Sequence, residues 1–232
     1  MVHPLAPVLA AAAAGSYPDA DGGIDVWAAD ADGTIAVVCF TGHAFVLADV
    51  ERGEVATRAT DDAGGGLGGA MAPELLTWLA GRDGTVGSTD VVLAAAGRAR
   101  CHGARPPWAE RVDAATHPRA QRALRHRRQV EVRTTDAGLI TVGRGLVGRW
   151  ELSVELFGSP VAGAGRTLVD AGLGLVPPDE WCFAQVAAGN ARSLRAFLGA
   201  GFVPIGSEVL ISRAAEQPVA TAEGTGPTSE GE

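Results

Sequence analysis

Two glutamates, Glu151 and Glu155, stand four residues apart in Trp150 to Phe157, a stretch whose apolar and polar residues alternate. Side chains two apart share a face of an extended strand. Both carboxyls, with Ser153 between them, therefore share one face, and Trp150, Leu152, Val154 and Leu156 take the other. A carboxyl buried there without a partner has a raised pKa and can accept a proton from a bound group. A solvated face, or a glutamate paired with an arginine, would not do that chemistry. Just downstream, Gly163-Ala-Gly165 follows this strand and opens a helical pattern. Two missing side chains let a phosphate reach the main chain, where first-turn N–H groups and the helix dipole would hold its charge. The same residues could equally form an ordinary strand-to-helix turn.

Other patterns exclude more than they assert. Gly143-Arg-Gly145-Leu-Val-Gly148 fits G-x-G-x-x-G, but that fingerprint works only where a helix follows. Alternation resumes after Gly148, so these glycines are expected to turn a hairpin. All 19 basic residues are arginines; a Walker lysine or a Schiff-base lysine is excluded. Cys39, Cys101 and Cys182 are scattered, form no CxxC pair and fit a reducing cytoplasm. Cys101-His102 and the other histidines lack metal-ligand spacing, so no metal is expected. Arg119, Arg122 and Arg125 fall on one helical face within a basic run that includes His117, His126, Arg127 and Arg128. No aromatics interleave there for base stacking. A solvated face, or contact with a cofactor phosphate or an acidic substrate, are the readings left open. The tryptophans sit in apolar contexts and read as core.

The elements that must position these groups follow from periodicity and punctuation. An alanine-rich run, Pro4 to Gly15, lacks a basic flank and reads as a first helix rather than a signal peptide. Strands are expected over Ile24 to Ala28, Thr34 to Phe40, Ala44 to Val50 and Asp90 to Ala96, with a helix over Pro73 to Ala80. Further on come strands over Gln129 to Thr134, Leu139 to Val142, Trp150 to Phe157 and Trp181 to Ala187, and a helix over Arg166 to Leu173. Asn190 caps a helix that runs from Ala191 to Ala200 and stops at Gly201. Phe202 to Ser212 closes as a bent strand or hairpin.

Strand, Gly-x-Gly loop, helix, strand, Asn190-Ala-Arg-Ser193, helix, Gly201-Phe202 and closing strand resemble the GNAT N-acetyltransferases in order and spacing, from about Thr116 to Arg213. The resemblance implies an α/β fold with a mixed sheet, an acyl-CoA N-acyltransferase. It implies transfer of an acetyl group from acetyl-CoA to a primary amine by direct attack in a ternary complex. The loop Val161, Ala162, Gly163, Ala164, Gly165 and Arg166 would bind the CoA pyrophosphate, with Arg166 adding charge-assisted contacts. Val154 and Leu156 would pair with the pantetheine arm where two parallel strands splay apart, and Asn190 and Ser193 would lie near the cofactor. Glu151 and Glu155 are then the candidate bases for the ammonium proton. Two positions depart from the family: Pro160 replaces an Arg or Gln at the start of the loop, and Phe197 stands where many members carry a tyrosine acid. The only tyrosine is Tyr17. A catalytically weak or inactive acyl-CoA sensor is the alternative.

The chain of 232 residues carries a net charge of −8, which argues against nucleic acid or anionic membranes as partners. Three regions are expected. Residues 1–115 form an α/β region that shapes the acceptor side or repeats the fold as a degenerate copy. Residues 116–213 form the acetyltransferase domain, and 214–232, poor in apolar residues, a disordered tail. The acceptor, a small-molecule or peptide amine, is not named by the sequence, and a homodimer stays open.

Overall fold

The computed structural model describes residues 2–59, 66, 68–98, 116–158 and 161–213. The tail, half of the glycine-rich run 64–69, Cys101-His102, Trp108 and Pro160 lie outside them. Ten strands form one mixed sheet: β1 (Ile24–Trp27), β2 (Ile35–Phe40), β3 (His43–Leu47), β4 (Thr85–Val86), β5 (Asp90–Ala96), β6 (Arg128–Thr135), β7 (Gly138–Arg144), β8 (Trp150–Leu156), β9 (Trp181–Ala187) and β10 (Val203–Ser212). Their order across the sheet is β1-β3-β2-β10-β5-β9-β8-β7-β6, with β4 beside β10.

Among the described residues six α-helices cover it: α1 (Leu5–Ala13), α2 (Arg52–Arg58), α3 (Pro73–Ala80), α4 (Pro118–His126), α5 (Ala164–Leu173) and α6 (Ala191–Gly199). Each has a local reason. Leu5 and Leu9, one turn apart, bury the inner stripe of α1. Pro73 and Pro118 begin α3 and α4, where a missing N–H costs nothing. His117 accepts the N–H of Arg119 and Asn190 that of Ser193, so each caps its helix. α6 is followed by Gly201 at φ 91°, a left-handed residue suited to glycine.

The strands bury both faces. Alternate residues of β2, β5 and β9 (Val38, Val92, Phe183) pack with α1, while Leu93, Cys182 and Ala184 pack with α5 and α6. Val37, Val46 and Val209 meet α3 on this second face. Thus α1 and α4 lie on one side of the sheet and α2, α3, α5 and α6 on the other.

The N-terminal region is built into the sheet rather than beside it. β5 pairs antiparallel with β9 and with β10, and β10 pairs antiparallel with β2. The pairing of β8 with β9 is not repeated by β3 and β5: β8 and β9 are parallel neighbours, whereas β2 and β10 stand between β3 and β5. Gly143 to Gly148 links β7 to β8 as a tight turn, with a strand after Gly148, as its pattern led us to expect. Gly145 is needed because a Cβ there would overlap the Glu151 carboxylate. No helix among the described residues is long and apolar enough to cross a membrane.

Candidate active site

The sheet parts at one place. β8 and β9 pair only through Trp150↔Cys182 and Glu151↔Phe183. Beyond that point β8 stays with β7 as far as Gly138↔Leu156, and β9 stays with β5 as far as Asp90↔Ala187. Each strand follows its outer partner, so the facing edges beyond Glu151 and Phe183 have no strand partner among the described residues. Edge N–H and C=O groups of this kind can bond an extended ligand.

At the mouth of this opening the chain leaves β8 and starts α5. Gly163 caps the helix with φ +86°, and a Cβ built there would meet nothing within 4 Å. Val161 is 79% exposed, so the loop is open rather than roofed by side chains. A cavity of about 330 Å³ lies against it, between Gly163 and Thr167 on one side and Asp136 and Ala137 on the other. Thr167 N bonds back to Gly163 O, but among the described residues the Gly165 and Arg166 amides have no acceptor. Gly165 sits between Leu156 and α6: a Cβ would lie 3.3 Å from Ala196 Cβ and 3.6 Å from Leu156 Cδ1. Arg166 is exposed and loosely paired with Asp170 at 3.6 Å. Val154 and Leu156 are half-buried on the α5 face. Asn190 is spent on its cap, with Ser193 half-buried one turn into α6.

The opposite face of β8 carries the two glutamates, and here one expectation is corrected. Neither is unpaired. Arg127 Nε donates to Glu151 Oε2 at 2.9 Å, Arg149 Nε donates to Oε1 at 2.9 Å, and the Leu146 amide donates to Oε1 as well. Burial alone would raise this carboxyl, but Arg149 and Arg127 outweigh it and hold its pKa below the usual range. Glu155 pairs with Arg119 at 2.7 Å. The spacing explains both pairs. Eight helical residues from Arg119 to Arg127 rise about 12 Å, and four strand residues from Glu155 back to Glu151 span about 13 Å. Helix α4 therefore lies antiparallel along β8, with an ion pair at each end.

The chain of charges goes deeper. Arg149 donates through Nη2 to both oxygens of Glu208 on β10, at 2.8 and 2.7 Å. Burial pushes the Glu208 carboxyl above its usual range, since Arg149 offsets only part of the desolvation. This network ties β8 to β10 where β8 and β9 separate.

Between α4 and the sheet is a cavity of about 560 Å³, lined by Arg122, Arg125 and His126 from α4, by Ser153 of β8, and by Gln185 of β9. His126 is the group that sequence reasoning passed over, having counted it only as part of a basic run. Partial burial, then repulsion from Arg122, Arg125 and Arg127, lowers its pKa, with Glu151 pulling the other way. Its imidazole is therefore neutral at neutral pH and able to accept a proton. A histidine flanked by arginines was the available signal.

Phe197, where an acid was looked for, is 4% exposed and packs edge-on against Phe202 with ring centroids 5.0 Å apart. That position belongs to the core. Burial pushes the Cys39 thiol up to about 12 and raises Cys182 as well, so neither is poised as a nucleophile. The chain matches no family model, no curated protein and no solved structure.

Proposed function

We propose that this protein is an N-acetyltransferase of the GNAT kind, moving an acetyl group from acetyl-CoA to a primary amine by direct attack in a ternary complex. The observation that carries the reading is the parting of β8 from β9 beyond Glu151 and Phe183, with the Gly165 and Arg166 amides open at its mouth. Free strand edges suit the amide-bearing pantetheine arm, and open first-turn amides suit a diphosphate. Acetyl-CoA would supply the acetyl group as a thioester. Val154 and Leu156 would flank the arm, Val161 to Arg166 would receive the phosphates, and Asn190 would serve by fixing the start of α6, with Ser193 beside the arm.

On the other face, the 560 Å³ cavity would hold the amine within reach of the opening. His126 would take the ammonium proton, because only the neutral amine attacks a carbonyl. Glu151, ionised and doubly paired, acts as a positioning residue that holds Arg127 and the end of α4. Glu155 is the second base candidate, its carboxylate engaged by Arg119 at 2.7 Å. The cysteine usage suits the cytoplasm as the setting. Calorimetric titration with acetyl-CoA tests the reading: saturable heat is expected, and neither heat nor thermal shift would overturn it.

One observation favours a second reading, an acyl-CoA sensor without turnover. The place of the family's acid is taken by the buried ring of Phe197. That reading predicts cofactor binding with no release of CoA thiol across a broad amine panel.

A further inference from the structure

We infer that the acceptor is a small amine carrying an anionic group, a carboxylate or a phosphate, held by Arg122 and Arg125 in the cavity between α4 and the sheet. This rests on the acetyltransferase reading for the role of the ligand, but not for its charge. The cavity is lined by four arginines, Arg119, Arg122, Arg125 and Arg127, against two carboxylates, Asp90 and Glu151. In a chain of net charge −8 such a local excess is against the average.

The excess is also unspent. Arg119 and Arg127 are engaged by Glu155 and Glu151, whereas Arg122 and Arg125 form no ion pair among the described residues. Another cavity, about 820 Å³ at the other ends of β8 and β9, offers a partial contrast. Two of its three arginines are already neutralised, Arg144 by both oxygens of Glu180 and Arg149 by Glu151 and Glu208, and Arg128 alone has no ion pair among the described residues. The α4 cavity places two guanidinium groups without ion pairs, Arg122 and Arg125, beside the imidazole of His126. Guanidinium forks favour planar or tetrahedral oxyanions, and 560 Å³ is within the roughly 300–1,000 Å³ of small-ligand sites.

The position assigns the anion to the acceptor rather than to CoA. Arg122 and Arg125 stand on the α4 side of the sheet, while the open amides of the α5 loop belong to the other side. An anion bound by the two arginines would leave the amino end of the same molecule toward His126, Ser153 and Gln185, which line the cavity beside the opening.

The test is a matched panel read by release of CoA thiol: amino acids, the corresponding amides, and the corresponding 1-aminoalkylphosphonates, each with acetyl-CoA. Acids or phosphonates should exceed their amides in kcat/KM by about tenfold or more, and whichever of the two leads identifies the anion. The double variant R122Q/R125Q should raise KM for the preferred anionic acceptor by a similar factor while leaving acetyl-CoA affinity unchanged. R122K/R125K, which keeps the charge, should retain most of the preference. Amides that serve as well as acids, or a double variant with unaltered KM, would overturn the inference and leave the transferase reading standing. Should no acceptor release thiol, titration with inorganic phosphate decides separately. Binding lost in R122Q/R125Q supports the anion site even as the transferase reading falls. Phosphate binding that is absent, or the same in both proteins, overturns it.

Discussion

The two ends of β8 are built on opposite principles. At its start, Glu151 is locked by Arg127 and Arg149, and Arg149 in turn by Glu208, with almost no solvent. At its finish, Leu156 leads into an open loop in which the Gly165 and Arg166 amides, like the facing strand edge, have no partner among the described residues. A strand cannot leave its neighbour halfway unless something else holds the pair at the point of parting. The buried charges do this, since breaking any one link strands a charge in a poorly solvated place. Rigidity at one end thereby permits an unsatisfied edge at the other.

The largest expected effect comes from attacking the locked end. Arg149→Met would leave Glu151 and Glu208 without their shared cation and should cost about 3–5 kcal/mol in urea denaturation. A loss near zero would show that packing alone holds the strands. At the open end, Gly165→Trp should weaken acetyl-CoA binding by about a hundredfold in calorimetry, because the new ring must displace Ala196 or Leu156. Circular dichroism should show the fold retained; binding equal to wild type in a folded variant would mean that the cofactor lies elsewhere.

The proton acceptor sharpens the contrast through pH. Activity should fall as pH drops through the pKa of His126, below its ordinary 6.5, because the imidazolium cannot accept a proton. His126→Gln should lower kcat by about a hundredfold and remove that acidic limb from the profile; an unchanged profile would return the role to Glu155. Glu151 predicts a separate limb, in stability. Its folded pKa lies below the unfolded value of about 4.5, so its contribution is complete above that value and is lost as pH falls through the folded one. Acid titrations of stability should show this limb in the wild type and lose it in Glu151→Gln. Smallest of all, Arg119→Gln removes a half-exposed pair and should change stability by less than about 1 kcal/mol.

Much of the site's scaffolding was legible because its causes are local. Alternation from Trp150 predicted β8 and its two faces, and Leu152 and Ser153 do lie on opposite sides. Asn190 predicted a cap, and its side chain accepts the Ser193 amide. The shared face of Glu151 and Glu155 was equally readable. Their charge state was not, because it depends on Arg119, Arg127 and Arg149, which reach them from a helix and a turn. A hint existed in two arginines eight apart and two glutamates four apart, spacings equal in length only if a helix lies along a strand.

The sequence by itself determined the order and type of most elements, α2 and β4 excepted, together with the glycines at the turns and the absence of lysine chemistry, since each depends on neighbours within a few residues. Tertiary structure alone decided that β5 enters between β9 and β10, that β8 and β9 part after Glu151 and Phe183, and that His126 shares a cavity with Gln185. Those outcomes rest on hydrogen bonds and charges between residues far apart in the chain, and no local pattern encodes which distant edge a strand will meet.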